Sequence, residues 1–519
     1  MSDEKRCWKW WHKAALGIGL VLATLWAVLA TIREPWIEPL PGVRVEPERP
    51  PVTESKLGPG SAYRLLLQAI ERPPGTASPD SSSDIWGEGG WSNASLKFER
   101  HGWPSQPSPA RSGAKRSGRS PAANRGLPWG AFRENGPAAV TVAPWTLEQV
   151  RDVPRLLGLY RPNVALLDRA LADPAGQMPM TDPAKPVANY MPGARSLARL
   201  LLMSAWHKAT TGDPAGAFQD LARIRGLSRL VSSGGALNGR LLACALDALA
   251  ADKAWRITMQ QDIPTPVLLQ AAPDFLASAD HALPLVEAVR VEAMASDRLV
   301  RWSFSHPGTP GLAGMMPRRF GIAWFATRLL GSNATTSSRN LRTAFQHVIA
   351  IVEKPYSQSF LADYERFRRG LRPSWDDFKV SDPFGCLLAS MLTPRDGEAY
   401  TKVTATDANL KGIALFLAIQ AYEKERGESP EQLEQLVPNF LPRVPEDPFD
   451  RKPFRYLRTR VPGLPTAAWA VYSVGPDFVD DGGKAHGIGT SHDPALGANP
   501  DLVWPSHAYP AKSPGEQAE

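Results

Sequence analysis

The sequence predicts a mainly α protein: an N-terminal transmembrane helix, an irregular helical bundle as the body, and a small α+β unit built from a long helix and a β-hairpin. Three observations predict this. Residues 14–32 carry no charged side chain and are long enough at helical rise to cross a hydrocarbon core. Helical periodicity dominates from Thr146 to about Leu392. Beyond Ala399 a long amphipathic run leads into two short β-rich runs, FRYL (Phe454–Leu457) and WAVYSV (Trp469–Val474), separated by a proline- and glycine-containing turn. At 519 residues the chain exceeds what one core usually holds, so linkers and more than one folding unit are expected.

Lys5, Arg6, Lys9 and Lys13 precede the apolar span, and Arg33 and Glu34 follow it directly. The positive-inside bias then makes residues 1–13 a basic cytoplasmic segment, residues 14–32 a single-pass anchor in the cell membrane, and the bulk of the chain extracytoplasmic. Trp8, Trp10, Trp11 and Trp36 stand where interfacial aromatics belong. The competing reading is a cleaved signal peptide with Val28-Leu29-Ala30 as its processing site, for which the apolar run is long.

The chain holds 50 prolines, concentrated between Pro35 and Pro144 and after Gly483, which locates the linkers. Residues 33–60 read as an extended proline-rich spacer. The helical domain spans 61–392 and begins with a helix from Ser61 to Glu71, with Tyr63, Leu66, Leu67 and Ile70 on one face. A low-complexity insertion at about 73–137 interrupts it. Regular structure resumes at Thr146, which with Gln149 forms a capping box.

The plainest pair of helices joins ARSLARLLLMSAWHKATTG to DPAGAFQDLARIRGLSRLV. Gly212 stops the first, Asp213 caps the second, and Pro214 takes the first-turn position. Leu197, Leu201 and Ala205 are expected to meet Phe218, Leu221 and Ile224. The pair resembles a single tetratricopeptide unit, notably in GDPAGAFQDL (Gly212–Leu221). Without a recurrence near 34 residues, an irregular bundle stands beside a tetratricopeptide-like body as the alternative.

In the unit spanning 396–483, Leu410, Ile413, Leu417 and Ala421 recur at helical spacing and Gly427 ends the helix. Ser429, Pro430 and Gln432 supply a cap, a first-turn proline and a box partner for a short helix through Leu436. Four prolines then forbid regular structure, leaving Phe440, Leu441 and Phe449 to pin the loop. Residues 484–519 read as a disordered tail.

The order AYEKERGESPEQLEQLVPNFLPRVPEDPFDRKPFRY followed by VYSVGPDFVDDGG resembles the C-terminal domain of the major pseudopilins of type II secretion systems. The whole layout is similar to membrane-anchored envelope proteins of bacteria such as planctomycetes. The resemblance implies a calcium site in the loop after the strands, with Asp477, Asp480 and Asp481 as its carboxylates. Calcium takes six to eight hard oxygens, so carbonyls and water would complete the set. Two departures stand out: residues 33–395 separate the anchor from this unit, and MSDEKRCWKWWHKAALG lacks the pseudopilin processing pattern.

No nucleophile elbow, HExxH pair, phosphate-cradling Gly-Lys loop or paired-cysteine site occurs in the sequence. Cys7, Cys244 and Cys386 are too scattered for a disulfide framework; Cys244 reads as a buried thiol, with a bridge to Cys386 as the alternative. His486, His492 and Asp493 are close in sequence but lie in a glycine-rich tail, while His207 and His347 read as ordinary helix residues. Asp376 with Asp377, and Asp447 with Asp450, are the carboxylate pairs open to acid–base work.

The net charge of +7 rests largely on Arg111, Lys115, Arg116, Arg119, Arg125 and Arg133. A charged linker is the leading reading of that stretch, with anionic lipid or an envelope polymer ahead of nucleic acid as a partner. Met315–Gly331 reads as a core helix or, alternatively, a membrane-surface helix. The expectation is an extracytoplasmic interaction or assembly protein with a protein partner in the envelope and no evident catalysis. The alternatives are an extracytoplasmic hydrolase and an accessory subunit of a type II secretion-like system.

Overall fold

The computed structural model describes residues 39–71, 147–180, 190–305, 333–370, 382, 389, 392–394, 398–458, 468–483 and 501–505. The expectations for the anchor at 14–32, the insertion at 73–137, the Thr146 cap, Met315–Gly331, Cys386, Asp376–Asp377 and the His486, His492 and Asp493 group lie outside these residues. Among the described residues no helix is long and apolar enough to cross a membrane.

The described chain is mainly helical, with one small sheet. The helices are α1 (Ala62–Glu71), α2 (Leu147–Leu171), α3 (Tyr190–Thr210), α4 (Pro214–Ser232), α5 (Leu237–Gln260), α6 (Thr265–Asp280), α7 (Leu285–Ser305), α8 (Ala334–Val352), α9 (Gln358–Gly370) and α10 (Glu398–Arg426). The α3–α4 hairpin forms as its residues dictate. Gly212 adopts φ +91°, Asp213 Oδ1 accepts from Gly216 N at 2.8 Å, and Pro214 opens α4. All six residues expected at the pairing, from Leu197 to Ile224, are buried.

Helix α10 departs from the expected one-sided stripe. Every residue from Ile413 to Ile419 is fully buried, because α5 and α6 cover one side of the helix and the sheet covers another. A helix that is apolar all round belongs inside a fold. One continuous core therefore runs from α1 through α6 to α10 and the sheet. A second core gathers α7, α8 and α9 around Phe345, Phe360, Tyr364 and Tyr400.

The sheet has order β1 (Arg455–Leu457), β2 (Ala470–Ser473), β3 (Leu502–Pro505), antiparallel throughout. The β1–β2 hairpin matches the sequence reading. The disordered-tail expectation for 484–519 fails at 501–505, where β3 pairs Val471 with Trp504 and is wholly buried. Trp504 lies flat on α10 at Gly412, where an added Cβ would stand 2.5 Å from the indole ring, and its Nε1 donates to Asn409 Oδ1 at 3.2 Å. Burial of that indole offsets the short pairing length.

The spacer expectation for 33–60 also needs correction. From Leu40 the segment is extended but docked along α7 and α8. Leu40 N donates to Gln346 Oε1 at 3.3 Å, Glu48 N to Glu287 Oε2 at 2.8 Å, and Arg290 Nε to the Arg44 carbonyl at 3.2 Å. Val45 is buried in the second core, and Met180 N donates to the Val52 carbonyl at 2.9 Å. Helix side chains satisfy the backbone of this strap, so it needs no periodicity of its own. The short helix expected before Leu436 is only a 3-10 turn, Leu433–Leu436, and Gln432 makes no side-chain cap; Gln435 Oε1 instead accepts from Glu431 N at 2.6 Å.

Candidate functional site

The C-terminal unit is organised around Asp447, which is 0% exposed. Its Oδ1 accepts from Phe449 N and Ser473 Oγ, both at 3.0 Å, and its Oδ2 from Val474 N at 3.1 Å and Arg455 at 3.3 Å. Burial raises its pKa, opposed by these hydrogen bonds. Asp450 grips the same Arg455, whose Nε lies 3.6 Å from Asp480. The Asp447–Asp450 pair is thus a clamp that ties the proline-rich turn, β1, β2 and the acidic loop together.

The loop after β2 carries the three predicted carboxylates, and the structure gives each a different task. Asp477 Oδ1 accepts from Val479 N at 3.1 Å, closing a local turn. Asp480 Oδ1 accepts from Gly482 N at 3.0 Å and from the Tyr472 hydroxyl at 3.1 Å. Asp481 is exposed, and its carboxylate makes no hydrogen bond among the described residues. Between them Phe478, at φ +63°, stacks on Tyr356 with ring centroids 5.7 Å apart, seating the loop against the helical body.

Sequence reasoning missed Asp501, which opens β3. It is 1% exposed; Oδ2 accepts from Gly483 N at 2.7 Å, the Asp481 amide lies close enough to lower its pKa, and Oδ1 is buried without a hydrogen bond among the described residues. Burial, with Asp480 and Asp481 nearby, pushes its pKa up to about 6. The only sequence signal was an acid directly before the apolar LVW run. Among the described residues no three His, Cys, Asp or Glu side chains converge as a ready-made metal cage.

A second polar feature is a cleft of about 220 Å³ between α4, α5 and α6. Its polar lining is Arg225, Ser228 and Arg229 of α4, Arg240 and Asp247 of α5, Asp274 and Ser278 of α6, and His281 just beyond α6. Ser228 Oγ donates to Asp247 Oδ2 at 2.7 Å and is 3.1 Å from the Ala243 carbonyl. Burial pushes Asp247 up to about 7, and it pulls Arg225 down to about 10. Cys244 is a free, buried thiol 3.2 Å from Arg240 Nη1, and burial raises its pKa. The legible signal was helical spacing: Arg240, Cys244 and Asp247 share one face of α5, and Arg225, Ser228 and Ser232 one face of α4.

The two described histidines singled out by sequence stand apart from these features. His347 stacks on Phe367 at 5.6 Å, and burial lowers the pKa of half-buried His207. No protein-family model, curated protein or solved structure matches the chain.

Proposed function

We propose that the protein is an extracytoplasmic interaction or assembly protein, anchored in the cell membrane by residues 14–32, with a pseudopilin-like C-terminal unit presenting a calcium-braced acidic loop to an envelope partner. The observation that carries this reading is the burial of α10 between the helical body and the sheet. That burial holds the loop at 475–483 in one place relative to the body, as a contact surface requires.

Calcium fits the donor chemistry of the loop. Asp481 and Asp501 each keep a carboxylate oxygen without a protein hydrogen bond among the described residues, and the Asp501 oxygen is buried. A hard cation would satisfy that oxygen and lower the repulsion among Asp480, Asp481 and Asp501. For the hydrolase alternative, Ser228 donates directly to Asp247 with no imidazole between them, and His281 lines the same cleft. An accessory role in a secretion-like system shares the proposed location and is separated by whether filament subunits bind the loop.

Two measurements test the proposal. Protease added outside spheroplasts should degrade the body while a cytosolic marker survives; a protected body overturns the topology. In the purified full chain, calcium should raise the melting temperature over chelator, and Asp481→Ala, which removes no hydrogen bond, should shrink the rise. An unchanged melting temperature removes calcium and leaves the anchor reading intact.

A further inference from the structure

The cleft between α4, α5 and α6 holds more charge than a junction of three helices needs. Three guanidinium groups, on Arg225, Arg229 and Arg240, face two carboxylates, Asp247 and Asp274. Buried charge is retained at a cost unless it is paired or used. Arg240 is largely committed, with Nε donating to the Leu283 carbonyl at 2.8 Å and Nη1 to Cys244.

Arg225 and Arg229 are not so committed. Arg225 is 7% exposed and lies over the Phe275 ring at 4.1 Å. It reaches Ser278 at 3.2 Å, stands 4.0 Å from Asp274, and leaves its Nε without a hydrogen bond. Arg229, one helical turn on, is exposed at the cleft, near enough to Asp247 to lower its pKa, and makes no side-chain hydrogen bond or ion pair among the described residues. Asp247 uses only Oδ2, toward Ser228. The volume is enough for a compact polar molecule.

We propose that this cleft binds a small oxyanion, a carboxylate or phosphate on a compact polar molecule, held by Arg225 and Arg229, with Asp247 meeting a hydroxyl or amine of the same ligand. Guanidinium groups suit both oxyanions because their fixed donors match the spacing of carboxylate and phosphate oxygens. The inference stands independently of the anchor and of calcium, since the cleft lies wholly within the helical body.

The test uses the full chain in detergent, with sodium phosphate and sodium succinate as probes and sodium chloride at equal ionic strength as the control. At least one oxyanion should raise the melting temperature saturably where chloride does not, and the probe that acts distinguishes phosphate from carboxylate recognition. Arg229→Gln alters an exposed side chain that makes no hydrogen bond or ion pair among the described residues, so it should fold normally and bind the active probe roughly tenfold more weakly. Equal responses to chloride and both oxyanions, or unchanged binding by Arg229→Gln, overturn the proposal.

Discussion

Two buried aspartates mark the contrast between the C-terminal unit and the helical body. Asp447 is surrounded by donors from four residues, so its charge is consumed in holding segments together. Asp247 accepts one hydrogen bond, from Ser228, and otherwise borders a cleft. Both carboxyls have raised pKa values from burial, so the shift alone does not tell structure from site. The difference is the number of donors already present, because a satisfied carboxylate has nothing left to offer a ligand.

The contrast breaks most visibly at Asp447. Asp447→Ala strands Ser473 and the Phe449 and Val474 amides in a buried site and removes one of the carboxylates on Arg455, and should cost about 3–5 kcal/mol by denaturant unfolding. A loss below about 1 kcal/mol would place Asp447 on the same footing as an ordinary surface acid.

Asp247 is tested by pH. In the unfolded chain an aspartate gives up its proton near 3.8, whereas folded Asp247 keeps its own to about 7. Its contribution is therefore complete below the lower value and is lost as pH rises to the upper one, by at most about 1.4 kcal/mol per pH unit. Arg225, Arg229 and Arg240 face it and limit the loss. Asp247→Asn has no proton to lose, so its stability relative to the parent should climb across that window and level off above it. A pH-independent difference would remove the titrating group from the cleft.

Gly412→Ala sharpens the comparison by asking how closed the C-terminal unit is. The new methyl meets the Trp504 ring at 2.5 Å, and β3 must shift, at a cost of about 1–3 kcal/mol read from thermal melts. The smallest effects come from the hydroxyls. Ser473→Ala and Ser228→Ala each remove one hydrogen bond to an aspartate, at about 1 kcal/mol, but only Ser473→Ala should speed amide exchange in β2 and β3.

Much of the helical body was legible because its signals are local. Gly212, Asp213 and Pro214 specify a helix stop, cap and start within three residues, and the structure uses all three. The β1–β2 hairpin was legible from its apolar β-rich runs. What escaped depends on distant partners. Strand β3 is four residues ending in Pro505, and its burial depends on β2, Phe454 and, on α10, Gly412 and Asn409. The strap at 39–57 resembled a linker because its backbone is satisfied by side chains 239 to 306 residues away, on Glu287, Arg290 and Gln346. Asp501 and the cleft were hidden for the same reason: their chemistry arises where separate elements meet.

The docked strap sets the scale on which the molecule would operate. Under the proposed topology only residues 33–39 stand between the lipid-embedded span and Leu40, and a fully stretched heptapeptide reaches at most about 25 Å. Such a leash would hold the docked strap, and the helices it is bonded to, within about that distance of the bilayer surface.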